Sequence, residues 1–398
     1  MTPVDAIERP KRRATSAFYN ADAVTVADLV AACDAPLTPT PQAVDVAQGI
    51  PVYDVPALVE VLCGPVDSAA LRALQSEWAA VLQHGAGVVV LRAAVPDLDA
   101  VDAATAAFER ILEREAEGKT EHADHFSSGN DRIWNSLQKL ALADPDTFVR
   151  YHGSAAIDAV CTAWLGPFYQ MTAQVNLVHP GGAAQKAHRD YHLGFQGPLA
   201  ATAYPRAVHD VSPLLTLQGA VAHCDMPVES GPTQLLPGSQ RFGPGYLVWQ
   251  REDIRAHFES HCVQLPLAKG DALFFNPAVY HAAGSNRSAD IERLANLLQV
   301  SSAFGRSTEV VDRERMCRAL YPAFASRVES GDIPPALRAA IACCAEGYAF
   351  PTNLDRDPPV DGPVPASQRD VLERALRRGL SAGDFARDLA HHSARRLA

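Results

Sequence analysis

The sequence predicts a mainly β core, a sandwich or barrel, with flanking α-helices, and three observations carry that prediction. Residues 168–304 hold short apolar segments cut apart by Gly, Pro and Asp turns: "FYQMTAQVNLVHP", "ATAYPRAV", "LLTLQGAVAHCD", "CVQLPLAKGD", "ALFFNPAVYH" and "LANLLQVSSAF". Such spacing belongs to all-β arrangements and not to βαβ units. The regions on either side switch to helical periodicity. Finally, 398 residues with 47% hydrophobic content are enough for a substantial core.

The elements follow in chain order. Residues 1–66 read as an N-terminal extension, partly linker-like, with "APLTPTPQ" at 35–42 as a turn or linker. "DSAALRALQSEWAAVLQ" at 67–83 sets Leu71, Leu74, Trp78 and Val81 at helical spacing behind Asp67 as cap. "GVVVLRAAVPD" at 87–97 reads as a strand stopped at Pro96. "LDAVDAATAAFERILERE" at 98–115 reads as a helix burying Leu98, Val101, Phe108, Ile111 and Leu112. "GPTQLLPGSQRFGPG" at 231–245 is dense in turn residues and is expected as a loop at one mouth of the β core. The main domain is expected over 67–308, with its β core at about 168–304. Residues 309–398 form a C-terminal helical extension, through "DRERMCRALYPAF", "ALRAAIACC" and "SQRDVLERALRRGL".

Charge and cysteine usage narrow the partners. A net charge of -11 argues against nucleic acid, and the basic run "RPKRR" at 9–13 is short enough to be a solvated tail. No apolar stretch reaches the roughly 20 residues that cross a bilayer. The N-terminal charges are followed by no apolar run, so a secretory signal is not expected. Eight scattered cysteines without a CxxC pair read as reduced thiols in a chain too large to need staples. A cytoplasmic protein with a small-molecule partner is expected, as monomer or homodimer.

The chemistry lies in "QKAHRDYHLGF" at 185–195. His188 and Asp190 stand one residue apart in what reads as a strand, where positions i and i+2 share a face. At the far end of the same core, "GDALFFNPAVYHAAGSNRS" supplies His281 among small neighbours. Two imidazoles and one carboxylate on one side of a metal leave three positions open, the facial arrangement of non-haem iron oxygenases. With 14 histidines in the chain, a bare H-x-D and a distant His also arise by chance.

The ordered combination is more specific. "HRD" at 188–190, "ESGPTQLLPGSQR" at 229–241, Gly270-Asp271, Phe274-Phe275, His281, Asn286, Ser288 and Arg293 follow one another in sequence. This pattern resembles the phytanoyl-CoA dioxygenase-like family of Fe(II)/2-oxoglutarate oxygenases, over about residues 68–305. The resemblance implies a double-stranded β-helix (jelly roll, cupin-like), with Fe(II) and 2-oxoglutarate as cofactors and O₂ as cosubstrate. It also implies hydroxylation of an unactivated C–H bond, with 2-oxoglutarate converted to succinate and CO₂. His188, Asp190 and His281 become the iron ligands by the resemblance. Arg293 becomes the partner of the distal carboxylate, with Arg287 as fallback; a planar fork suits that task.

Further contacts to 2-oxoglutarate are expected from Asn176, Gln174, Tyr191 and Ser285. Substrate-side residues are expected at Phe195 and in "HFSSGNDRIWNSLQKL" (125–140), from Arg132, Trp134 and Lys139. By the resemblance, Asp190 separates hydroxylases from halogenating relatives, in which a small residue leaves room for chloride. Two other readings stand beside the oxygenase: a non-catalytic binding protein on the same scaffold, and a metalloenzyme that needs no keto acid. Arg293 discriminates, because only a keto-diacid cosubstrate needs it.

Overall fold

The computed structural model describes residues 16–36, 38–116, 130–360 and 362–397. The basic run at 9–13 and the stretch 125–129 lie outside them. Ten strands are described: β1 (Asp45–Ala47), β2 (Ile50–Asp54), β3 (Val88–Arg92), β4 (Asn130–Ile133), β5 (Gln170–Val178), β6 (Thr216–Ala222), β7 (Gln234–Leu235), β8 (Ala272–Phe275), β9 (His281–Ala282) and β10 (Arg293–Ser301). Eight of them form one sheet in the order β1-β2-β3-β8-β6-β10-β5-β4; β7 and β9 make a two-stranded sheet. Only the β2–β3 pair is parallel.

One face of the large sheet is buried under helices. Ala69–His84 forms because Leu71, Leu74, Trp78, Val81 and Leu82 make one apolar stripe. Its cap is Ser68, whose hydroxyl accepts from the Leu71 amide at 3.2 Å; the expected Asp67 lies one residue too early. Leu98–Ala116 buries Val101, Phe108 and Ile111, whereas Leu98 is exposed and Leu112 only half-buried. Later helices Arg313–Ala325, Pro335–Cys344, Gln368–Arg377 and Ala382–Arg396 contribute Met316, Ile341, Leu372 and Phe385 to this same core. On the sheet side it receives Met171, Ala173 and Val175 of β5, Leu217 and Val221 of β6, and Leu294 and Leu298 of β10.

Because side chains alternate along a strand, the intervening residues point to the other face. Gln174 and Asn176 of β5, Gln218 and Ala220 of β6, and Arg293, Ala295 and Gln299 of β10 line a cavity there. Register sets them side by side. Leu297 pairs with Gln174 and with Ala220, and Gln299 pairs with Gln218.

The mainly β double-stranded β-helix, jelly-roll or cupin-like, is corrected by these elements. The fold is mixed α/β, with 44% helix against 15% strand, and its main sheet is open, not closed into a barrel. Short apolar runs between turns suit a strand or a single helical turn alike. "ATAYPRAV" shows this: it falls in helical turns at Pro198–Ala201 and Arg206–Val211, the first opened by Pro198. "CVQLPLAKGD" contributes only the isolated bridges of Val263 with Leu235 and Leu267 with Met226, since Pro266 between them has no N–H for a ladder. The turn-rich 231–245 stretch holds β7 and a 3-10 turn, Ser239–Arg241.

Candidate metal centre

His188 and Asp190 do not lie on a strand. Their segment is irregular and is held by one antiparallel bridge, in which the His188 amide donates to the His281 carbonyl at 3.0 Å and the His281 amide returns the bond at 3.2 Å. The Asp190 amide adds a bond to the Pro277 carbonyl at 3.3 Å. His281 itself opens β9, which pairs with β7 through Leu235. The expected side-by-side presentation is therefore achieved by a bridge between two loop-like segments.

One donor atom from each of His188, Asp190 and His281 lies within 4.8 Å of the other two. His188 Nε2 stands 3.6 Å from Asp190 Oδ1, and His281 Nε2 stands 3.3 Å from Asp190 Oδ2. Each imidazole donates its Nδ1 proton to the carbonyl two residues earlier, Lys186 at 2.8 Å and Val279 at 3.0 Å. That bond leaves the Nε2 lone pair of the neutral ring facing the cluster, the tautomer a metal needs. Gln218 donates Nε2 to Asp190 Oδ2 at 2.6 Å, and Phe275 packs edge-on against the His281 ring. Burial acts to raise the Asp190 carboxyl, but hydrogen bonds and charge from His188 and His281 outweigh it and hold it far below the carboxylate range. For His188, burial is overcome by Asp190 and the pKa rises; for His281, burial and the neighbouring His188 bring it down. Two imidazoles and a carboxylate, one oriented by an amide, match an octahedral iron site with three open positions.

The triad opens into a cavity of about 220 Å³ that Arg293 also lines. Arg293 is 5% exposed and donates Nη1 only to the carbonyls of Ser230 and Gly284, each at 3.2 Å. Burial pulls its pKa down to about 10. Among the described residues no carboxylate pairs with it, and Arg287, the fallback, is exposed and outside the lining. Gly231 shapes this end: at φ +75° it lets the 229–232 turn approach Ser285, whose carbonyl would lie 2.3 Å from an added Cβ.

Other expected residues divide. Gln174, Asn176, Tyr191, Phe195, Arg132 and Trp134 all line the cavity. Arg132 donates to Gln174 Oε1 at 2.9 Å and stacks over Trp134 at 5.2 Å, while Phe195 rests edge-on against Tyr191 and is 60% exposed at the rim. The buried Oδ1 of Asn176 has no hydrogen-bond partner among the described residues. Ser285 lies outside the lining, and its hydroxyl accepts from the Ala184 amide at 3.0 Å, pinning two loops. Lys139 also lies outside the lining, with its ammonium paired to Glu115. Sequence reading missed Gln218 and Gln299, and it took Phe275 as part of the motif without a role at the site. A lone Gln in an apolar strand was the available signal, since a buried amide needs a partner.

Three further histidines stand apart. His179 bridges Asp131 and Glu292, and His192 meets Thr216. His223 lies on the helical side, between Thr105 Oγ1 at 2.8 Å and the Tyr151 hydroxyl at 2.7 Å. Thr105 gives its proton to the Val101 carbonyl, so it accepts from His223 Nδ1, and Tyr151 donates to Nε2. His223 is thus held neutral. Burial brings His223 down to about 3, and burial together with His223 does the same to His152. The unfolded chain protonates both below about 6.5 while the folded chain does not, so stability is complete above that pH and falls toward pH 3. Each histidine should remove about 2 kcal/mol at pH 5. Thermal melts at pH 7 and pH 5 should show a clear drop in Tm, and an unchanged Tm would contradict this neutral network.

Comparison with known proteins places the site in a lineage. The family model for phytanoyl-CoA dioxygenase (PhyH) matches residues 84–295, more than half of the chain. Dioxygenase andF of Emericella variicolor is 28% identical over 142 residues, covering 34% of this chain and 43% of that protein. Dioxygenase cdmD of Talaromyces verruculosus is 28% identical over 185 residues, covering 45% and 55%. The chain thus spans about half the length of these curated relatives. Solved structures that are similar include the epimerase SnoN in complex with Fe3+, alpha ketoglutarate and nogalamycin RO (23% identity, TM-score 0.41, 60% of this chain and 85% of that one). HygX from Streptomyces hygroscopicus, with nickel and 2-oxoglutarate bound, is another (13% identity, TM-score 0.37, 57% and 87%). The matched residues run from the helix end before β3 to β10 and take in His188, Asp190, His281 and Arg293. The chain belongs to the phytanoyl-CoA dioxygenase (PhyH) family, within the Fe(II)/2-oxoglutarate-dependent oxygenases.

Proposed function

We propose that this protein is a dioxygenase that hydroxylates an unactivated C–H bond of a small molecule, with 2-oxoglutarate as cosubstrate. The observation that carries the reading is Arg293: a buried guanidinium without a carboxylate partner among the described residues, in the same cavity as the triad. A desolvated cation is costly unless an anion meets it. A dicarboxylate reaching from the metal to Arg293 supplies that anion. The curated relatives' names as dioxygenases agree with this reading. The chain's eight cysteines, all free thiols, support a cytoplasmic placement.

His188, Asp190 and His281 would hold Fe(II), which supplies O₂ activation at the expense of 2-oxoglutarate decarboxylation. The chain's own part is to bind, orient and exclude water. Gln218 orients the Asp190 carboxylate through a bond to Oδ2, the oxygen that also faces His281. Asn176, whose Oδ1 is unpartnered among the described residues, offers an amide on the cavity wall beside Gln174, whose own amide bonds Arg132 and Gln299. Tyr191, Phe195 and Trp134 give the cavity aromatic walls, Tyr191 buried and Phe195 and Trp134 toward solvent. The test is succinate formation by purified protein with Fe(II), 2-oxoglutarate and a panel of small molecules. Asp190→Ala should abolish hydroxylation, read by mass spectrometry of products with chloride present. Hydroxylation at the wild-type rate in that variant would remove Asp190 from the ligand set.

A further inference from the structure

The segment that carries two of the three triad residues is held by separate backbone bonds and not by a strand. His188 makes a single bridge, and the chain after Asp190 passes through two consecutive non-glycine residues in the left-handed region, Tyr191 at φ 58° and His192 at φ 46°. Such a backbone persists only where its surroundings over-determine it. The residue between the two ligands, Arg189, is 1% exposed and points away from the cavity. Its Nη2 donates to the carbonyls of Ser239 at 2.6 Å and Phe242 at 2.9 Å. Its guanidinium lies over the rings of Tyr280 at 4.6 Å and Tyr246 at 5.1 Å. Gly245 closes the box, since a Cβ there would sit 2.1 Å from the guanidinium carbon.

Tyr280 precedes His281. Its hydroxyl donates to the Gly245 carbonyl at 2.8 Å and its amide to Ser239 Oγ at 2.8 Å. The neighbours of the ligands therefore meet on the far side of the backbone bridge, just as the ligands meet on the near side. Among the described residues no carboxylate pairs with Arg189, so carbonyl dipoles and ring faces alone hold this charge, an arrangement specific to a planar fork.

We infer that Arg189 is a positioning residue: by locking into the Ser239–Tyr246–Tyr280 box it presents His188 and Asp190 to the metal in register with His281. This rests on the metal-site reading above. Co(II) titration, followed by its visible absorption bands, tests it on wild type, Arg189→Met and Arg189→Lys, with circular dichroism to establish folding. Arg189→Met should fold, bind Co(II) at least tenfold more weakly and show shifted bands; Arg189→Lys should recover part of the affinity. A folded Arg189→Met with wild-type affinity and bands overturns the inference while leaving the metal site standing. Absence of Co(II) binding by wild type overturns both. Should Arg189→Met not fold, Gly245→Ala, which presses a methyl onto the guanidinium, carries the same readout, and unchanged affinity and bands in it overturn the inference.

Discussion

Fe(II) should wash out of His188→Ala and of His281→Ala, and 2-oxoglutarate turnover should fall below detection in both. The cluster contains one donor from each of three residues, with no fourth His, Cys, Asp or Glu in it among the described residues. Loss of one imidazole leaves a bidentate site. The backbone bridge that aligns the two rings, 4.4 Å apart, is untouched by either substitution, so what is lost is the ligand atom itself. Iron content after gel filtration and succinate production at saturating Fe(II) measure the two effects separately. Full activity in either variant would remove the triad assignment.

Arg293→Gln should raise the apparent KM for 2-oxoglutarate by about ten- to a hundredfold or more. A charge-assisted contact of this kind is worth roughly 1.5–3 kcal/mol, and each tenfold is about 1.4 kcal/mol. Iron retention should be nearly unchanged, since Arg293 donates to Ser230 and Gly284 and is no ligand. Lysine should rescue only in part, because it offers a point charge in place of a fork. The control is Arg287→Gln, on an exposed residue whose amide, but not its side chain, ties to Glu229. Should Arg287 matter and Arg293 not, the cosubstrate grip lies elsewhere. Should neither matter, 2-oxoglutarate is the wrong cosubstrate.

The ordered motif and its resemblance to the phytanoyl-CoA dioxygenase-like family brought His188, Asp190, His281 and Arg293 to notice, and alternation turned Gln174 and Asn176 to one face of β5. Those properties are local: a strand's period sets which side each residue takes, and helical stripes such as Leu71–Leu74–Trp78 declare their own face. The open α/β sheet was not legible, because turn-bounded apolar segments fit a strand or a helical turn equally until packing selects one. Gln218 was hidden for a related reason, since its value lies in meeting Asp190 across the sheet. Ser285 and Lys139 had suitable chemistry, yet the tertiary structure commits them to the Ala184 amide and the Glu115 carboxylate. Arg189 sits in the motif's variable position, where spacing says only that it faces away from the metal. What it faces, two tyrosine rings and two carbonyls from residues 239–246 and 280, was decided by packing alone, because a side chain's direction is a property of its own backbone and its partner is not.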